Sequence, residues 1–224
     1  MKLFLDSADV SEIITRTSTG LIDGITTNPT LIMKSGRKPL EVYKELISAG
    51  INDISMEVIG DMTQMLNQAL NLVVAFGKNA TIKVPCTPGG LAVCRELRSR
   101  GIRVNVTLIF NVAQAILAAK ADATYVSPFV GRLVDNNISG IAVVKQIADV
   151  YKKHDVKTQV LAASIRDVTS VTEAFSNGAD ICTIPPKVFD DMYRHVLTEK
   201  GLYIFEKDAK AYNESDREPA EEGL

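Results

Sequence analysis

Histidine is nearly missing from this chain. Only His154 and His195 occur in 224 residues, and both fall in polar, helix-like stretches. A histidine-rich metal centre is thereby excluded, and no clustering of carboxylates suggests an all-oxygen one. Neither a metal nor a cofactor is expected. Cysteine is sparse and odd in number: Cys86, Cys94 and Cys182. In a chain of this size a disulfide framework is not expected, and reduced thiols of a cytoplasmic protein fit better. No apolar run approaches the roughly 20 residues that cross a bilayer. The opening MKLFLDSADV, with Asp6 and Asp9, has no long apolar segment and no small-residue cleavage site of a secretory leader. Basic runs are also missing and the formal net charge is -2, so a nucleic-acid partner is not expected. Nor is there a glycine-rich phosphate turn after the first strand. That strand ends Asp6-Ser7-Ala8-Asp9, a helix N-cap signal. Gly89-Gly90 follow Pro88, but the Lys and Ser/Thr of a P-loop do not come after them.

What is present is an alternation. The composition, 46% hydrophobic and 23% charged, is that of a globular domain. Short runs rich in β-branched residues predict strands at Lys2–Asp6, Ile22–Thr27, Ile54–Val58, Thr81–Pro85, Arg103–Leu108, Thr124–Ser127, Thr158–Ala163 and Ile181–Ile184. Helical patterns follow each: Val10–Thr17, Leu40–Ala49, Thr63–Phe76, Leu91–Arg100, Asn111–Ala119, Ile138–Lys153, Val168–Asn177 and Phe189–Leu197. Eight strand–helix units without a domain break predict parallel strands with helical crossovers. They favour one (β/α)8 TIM barrel over an open doubly wound sheet. The α/β barrel is expected over residues 1–212, with a C-terminal helix at Leu202–Tyr212. A polar, Glu-rich tail that lacks the means to fold is expected over 213–224.

In such a barrel the C-terminal strand ends build the active site, so polar residues there matter most. Asp6 ends the first strand, Thr26, Thr27 and Asn28 the second, and Glu57 the third. Lys83 sits late in the fourth strand, and Asn105 and Thr107 share a face of the fifth. Ser127 ends the sixth, with Arg132 soon after. Ser164 and Arg166 end the seventh and share a face if the strand persists that far. Lys83, inside Ala-Thr-Ile-Lys-Val-Pro, divides evenly between a solvent-facing edge-strand lysine and a nucleophilic amine. A lysine inside a barrel must be paired or give up its proton more readily. Taken singly, Asp6 and Glu57 read as salt-bridge partners and Arg132 and Arg166 as surface arginines. Taken with an inward lysine, the carboxylates suit proton transfer, and two arginines beside Ser164 suit an anionic substrate. Cys86 has no histidine near it in sequence and reads as a packing residue.

Seven segments then resemble one known family in order. They are Asp6 in LFLDSAD, Thr27-Asn28-Pro29-Thr30 in GITTNPTLI, Glu57 in SMEV, Lys83 in IKVP, Asn105-Val106-Thr107 in VNVTLIF, Ser127 to Arg132, and Ala163 to Arg166. Together they look like the small transaldolases and the related fructose-6-phosphate aldolases. The resemblance implies a class I aldolase barrel in which Lys83 forms a Schiff base with a ketose donor. It implies that Asp6 handles the C4-hydroxyl proton, and that Glu57 and Thr107 hold a proton-relaying water. Asn28, Asn105 and Ser127 would bind hydroxyls of the dihydroxyacetone unit, and Arg132, Ser164 and Arg166 the substrate phosphate. The aldolase branch is expected to carry Tyr where Phe129 stands and Gln where Glu57 stands, so this chain looks like the transaldolase side. Phosphosugar substrates and a homo-oligomer, pentamer or decamer, are implied partners. The alternatives are a fructose-6-phosphate aldolase, a barrel isomerase or synthase using Lys83 only electrostatically, and a non-catalytic phosphosugar-binding barrel.

Overall fold

The computed structural model describes residues 1–215; of the tail expected over 213–224, residues 216–224 lie outside the described residues. Eight short strands form a closed parallel barrel in sequence order. They are β1 Lys2–Asp6, β2 Gly24–Thr26, β3 Ile54–Glu57, β4 Ala80–Pro85, β5 Val104–Ile109, β6 Tyr125–Pro128, β7 Gln159–Ala162 and β8 Ile181–Ile184. β8 pairs back onto β1, with Phe4 opposite Thr183 and Leu5 opposite Ile184. The barrel is the one the alternation predicts, and closure leaves no edge strand. Lys83 is therefore not an edge-strand lysine.

Helices cover the outside: α1 Val10–Thr17, α2 Pro29–Ser35, α3 Pro39–Ser48, α4 Met62–Phe76, α5 Pro88–Ser99, α6 Val112–Lys120, α7 Val130–Asp135, α8 Gly140–Lys153, α9 Val168–Ser176 and α10 Pro186–Asp191. Short polar side chains cap seven of them. Asp9 accepts from the Glu12 amide at 3.1 Å, as the Asp6-Ser7-Ala8-Asp9 signal implies. Asp61 and Gln64 form a reciprocal capping box at α4. Two helices escape the periodicity, α2 and α7, because seven and six residues are too few to show a repeat. The helix predicted over Phe189–Leu197 is instead two: α10 stops at Asp191, and α11 runs Val196–Ser215. α11 extends three residues past the expected boundary at Tyr212. Among the described residues, those from Asp190 onward form a compact unit of their own.

The main apolar cluster fills the layer between strands and helices, with Ile25, Ile54, Ile82, Leu97, Val106 and Ile147 fully buried. A smaller cluster of Phe4, Tyr125, Leu161, Ala163 and Ile181 occupies the barrel interior, where Phe4 meets Tyr125 edge to face at 6.1 Å. The N-terminal strand ends are tied by Asp53. Its Oδ1 accepts from Thr81 at 2.7 Å, and its Oδ2 from Tyr125 and Arg103 at 2.7 Å each. These groups make one end of the barrel a rigid floor, and the chemistry is left to the other.

Candidate active site

Strand register assembles the centre of the site. Glu57 pairs with Lys83 across β3 and β4, and Lys83 pairs with Asn105 across β4 and β5. One row across three neighbouring strands thus carries a carboxylate, an amine and an amide at the same height. Lys83 is 4% exposed. Its Nζ lies 3.0 Å from Glu57 Oε2 and donates to the Thr27 carbonyl at 3.0 Å. Inside the barrel Lys83 is thus paired, with a carboxylate and a carbonyl.

Thr27 is held in turn. Its hydroxyl donates to the Ser55 carbonyl at 3.0 Å, so the Tyr43 hydroxyl, 3.1 Å away, donates to Thr27. Burial pushes the Tyr43 phenol up, which keeps it a donor. Asn105 is fixed at both ends of its amide: Nδ2 donates to Ser55 Oγ at 3.1 Å, and Oδ1 accepts from Ser127 Oγ at 2.7 Å. A bulge in β5 at Leu108 (φ 60°) shifts the register to β6. Thr107 is fully buried, and its hydroxyl has no hydrogen-bond partner among the described residues. A buried hydroxyl left unpaired is costly and asks for a reason.

Across the interior, Asp6 accepts from Thr26 Oγ1 at 2.7 Å. Thr183 Oγ1 lies 2.7 Å from the same Thr26 oxygen. Since the Thr26 proton goes to the carboxylate, Thr183 donates to Thr26. Burial pushes the Asp6 carboxyl above the usual carboxylate range; the Lys83 charge and the Thr26 hydrogen bond pull it back, and Glu57 adds to the rise. An acid poised closer to neutrality is better suited to passing a proton in both directions.

Asp6, Asn28, Lys83, Ser127, Phe129, Arg132 and Ser164 line one cavity of about 110 Å³, together with Thr26 and Thr183. Glu57, Asn105 and Thr107 are not among its lining residues; Glu57 lines a second cavity, with Asn28 and Tyr43. Asn28 also caps α2, its Oδ1 accepting from Leu31 N at 3.0 Å. The Arg132 guanidinium carbon lies 5.1 Å from the Phe129 ring centroid, and Phe129 meets Phe110 at 5.9 Å. Ser164 takes φ 58°, which ends strand alternation just past β7. Arg166 therefore does not continue the face of Ser164. It is not among the cavity-lining residues, and its guanidinium is paired with Asp135. Thr183 is a polar lining residue that sequence reasoning passed over, although a threonine inside Ile-Cys-Thr-Ile is a polar interruption at a strand end like the others. Cys86 is half-buried and burial pushes its thiol up, which suits a packing role.

Fold and cavity together define a (β/α)8 barrel whose strand-end face is organised around a buried, carboxylate-paired lysine. Comparison with known proteins places it further. The family model described as Transaldolase/Fructose-6-phosphate aldolase matches residues 3–221. The chain is 48% identical over 208 residues, 93% of its length and 96% of the relative's, to a probable transaldolase of Paracoccus denitrificans. It is 47% identical over 206 residues to one of Chelativorans sp., covering 92% and 94% of the two chains. A solved thiamine phosphate pyrophosphorylase from Pyrococcus furiosus superposes with a TM-score of 0.56 at 15% identity, covering 82% of this chain and 85% of that one, a likeness of fold alone. This chain belongs to the transaldolase/fructose-6-phosphate aldolase family and is a transaldolase-type enzyme. No helix among the described residues is long and apolar enough to cross a membrane.

Proposed function

We propose that this barrel transfers a dihydroxyacetone unit from sedoheptulose 7-phosphate to glyceraldehyde 3-phosphate through a Schiff base on Lys83, yielding erythrose 4-phosphate and fructose 6-phosphate. The observation that carries the reading is Lys83 itself: buried, 3.0 Å from Glu57, and lining the same cavity as Asp6.

The Lys83 amine adds to the ketose carbonyl carbon, and the resulting carbinolamine loses water to give the Schiff base. Glu57 is adjacent to take the ammonium proton and return it to the departing hydroxyl. The unpaired Thr107 hydroxyl supplies a partner for the water that leaves and later returns. Asp6 accepts the C4-hydroxyl proton as the C3–C4 bond breaks, and the electron pair of that bond is held as an enamine on the lysine nitrogen. Reversal with a second aldehyde forms the new bond, with Asp6 giving the proton back. Asn28, Asn105 and Ser127 suit the hydroxyls of the transferred unit, because the amide of Asn105 is immobilised at both ends. Arg132 and Ser164 suit the phosphate.

The second reading, fructose-6-phosphate aldolase, differs only in releasing dihydroxyacetone instead of passing it on. Phe129 and Glu57 favour transfer, since the aldolase branch is expected to carry Tyr and Gln there. Borohydride reduction in the presence of fructose 6-phosphate should add mass to the peptide holding Lys83; an unmodified peptide refutes the Schiff base. Parallel assays of the two reactions decide the branch, and faster release of free dihydroxyacetone than transfer overturns the transaldolase reading. A cytoplasmic homo-oligomer, pentamer or decamer, belongs to the same proposal. It is supported by apolar side chains exposed along α11, among them Leu202, Tyr203 and Phe205. Sedimentation equilibrium should return five or ten times the mass of one chain, and a monomer mass refutes it.

A further inference from the structure

A site for an anionic substrate gains from its arginines and loses from any acid beside them, yet Asp135 stands three residues after Arg132 at the end of α7. Arg166 Nη1 and Nη2 donate to Asp135 Oδ1 and Oδ2 at 2.6 and 2.5 Å, so the end-on fork of the guanidinium is taken. Its other edge lies against α7. A Cβ built on Gly131 would stand 2.8 Å from Arg166 Nε and 2.3 Å from the Ser164 carbonyl, which itself accepts from Gly131 N at 3.0 Å. The end-on pair of Arg166 donors is therefore occupied by Asp135, and a phosphate binds an arginine most tightly through a pair of adjacent N–H donors. Arg132 differs, for it lines the cavity and rests on Phe129. One arginine is offered to the cavity and the other is held back.

The Arg166–Asp135 pair is also half exposed, with side-chain exposures of 54% and 49%. Exposed pairs are weak and screened, so an arriving dianion is able to exchange with the carboxylate.

We propose that Asp135 and the substrate phosphate compete for the Arg166 guanidinium, so that Asp135 sets how tightly the barrel holds phosphorylated sugars. The inference rests on the phosphosugar reading above. Asp135 acts here as a positioning residue, working through Arg166.

Fructose 6-phosphate turnover is measured with inorganic phosphate as competing anion, in the wild-type protein and in Asp135→Asn. The variant should lower both KM and the phosphate Ki by about two- to five-fold, the range set by the small worth of an exposed ion pair. Adding Arg166→Gln to that variant should abolish the gain. Asp135→Ala serves as a second form of the same test. A Ki that is unchanged or raised in both Asp135 variants overturns the proposal, as does a fall in kcat with KM and Ki at wild-type values. A wild-type protein that binds phosphate but turns over no phosphosugar overturns the functional reading instead. Phosphate binding followed by ³¹P NMR in the same variants still tests the competition in that case.

Discussion

Glu57→Leu removes the carboxylate from a pair whose side chains are only 5% and 13% exposed. At an effective dielectric of about 20, two charges 3.0 Å apart attract by about 5.5 kcal/mol. Much of that offsets the desolvation of the two groups, so the pair as a whole contributes little net stability. Breaking it is different. The ammonium of Lys83 stays in the barrel with the Thr27 carbonyl as its remaining partner, and stranding a buried charge costs about 3–5 kcal/mol. For a chain of this length that lowers Tm by about 6–20 °C, taking about 2–4 °C per kcal/mol. Replacing both groups, Lys83→Met with Glu57→Leu, removes the stranded charge and should return stability to within about 1 kcal/mol of wild type or above it. Urea unfolding of the wild type, both single variants and the double variant closes a double-mutant cycle. If Glu57→Leu loses less than about 1 kcal/mol, or if the double variant is as unstable as the sum of the singles, the pair is not the closed buried unit described above.

Two further outcomes follow from the same cavity. Thr26→Val deletes the hydrogen bond that opposes burial at Asp6, so the Asp6 carboxyl should rise further. On the proposed mechanism Asp6 must be ionised to accept the C4-hydroxyl proton, so activity should be lost as pH falls through its folded value. The acid limb of the kcat/KM profile should therefore move to higher pH in this variant; a limb that stays put or moves down would show that Asp6 does not set it. Phe129→Tyr places a hydroxyl beside the cavity and should raise release of dihydroxyacetone relative to transfer, read from the ratio of the two rates. An unchanged ratio would show that this position does not choose the branch.

Much of the barrel is legible locally, because a strand shows itself in β-branched runs and a helix in its caps and repeat. The eight strands lie within two residues of where the runs place them, and Asp9 caps α1 as its neighbours imply. The repeat is silent about α2 and α7, each under two turns, although both follow strands that carry site residues. It also reads Phe189–Leu197 as one helix where the chain turns at Met192–His195, since the apolar positions on either side happen to match one period. Among the candidate residues, strand-end position alone picks out Asp6, Asn28, Lys83, Ser127, Arg132 and Ser164, all of which reach the cavity. It does not separate Arg132 from Arg166, because the difference is made by a positive φ at Ser164 and by the carboxylate of Asp135 on α7.

From sequence alone came the alternation of eight units, the polar residues that interrupt each strand, and the order of motifs that ties the chain to its family. These are properties of neighbours along the chain, written in period and side-chain type. Only the folded barrel decided that Glu57, Lys83 and Asn105 stand in one row, because register is a relation between strands and not within them. Closure brought Thr183 to Thr26, 157 residues away in sequence, and so made a hydrogen-bonded chain that ends on Asp6. β4 is paired on both sides, with β3 and β5, so Lys83 has no edge on which to be an ordinary surface lysine. A charge forced into that interior must find its partner there, and Glu57 is the residue that register supplies.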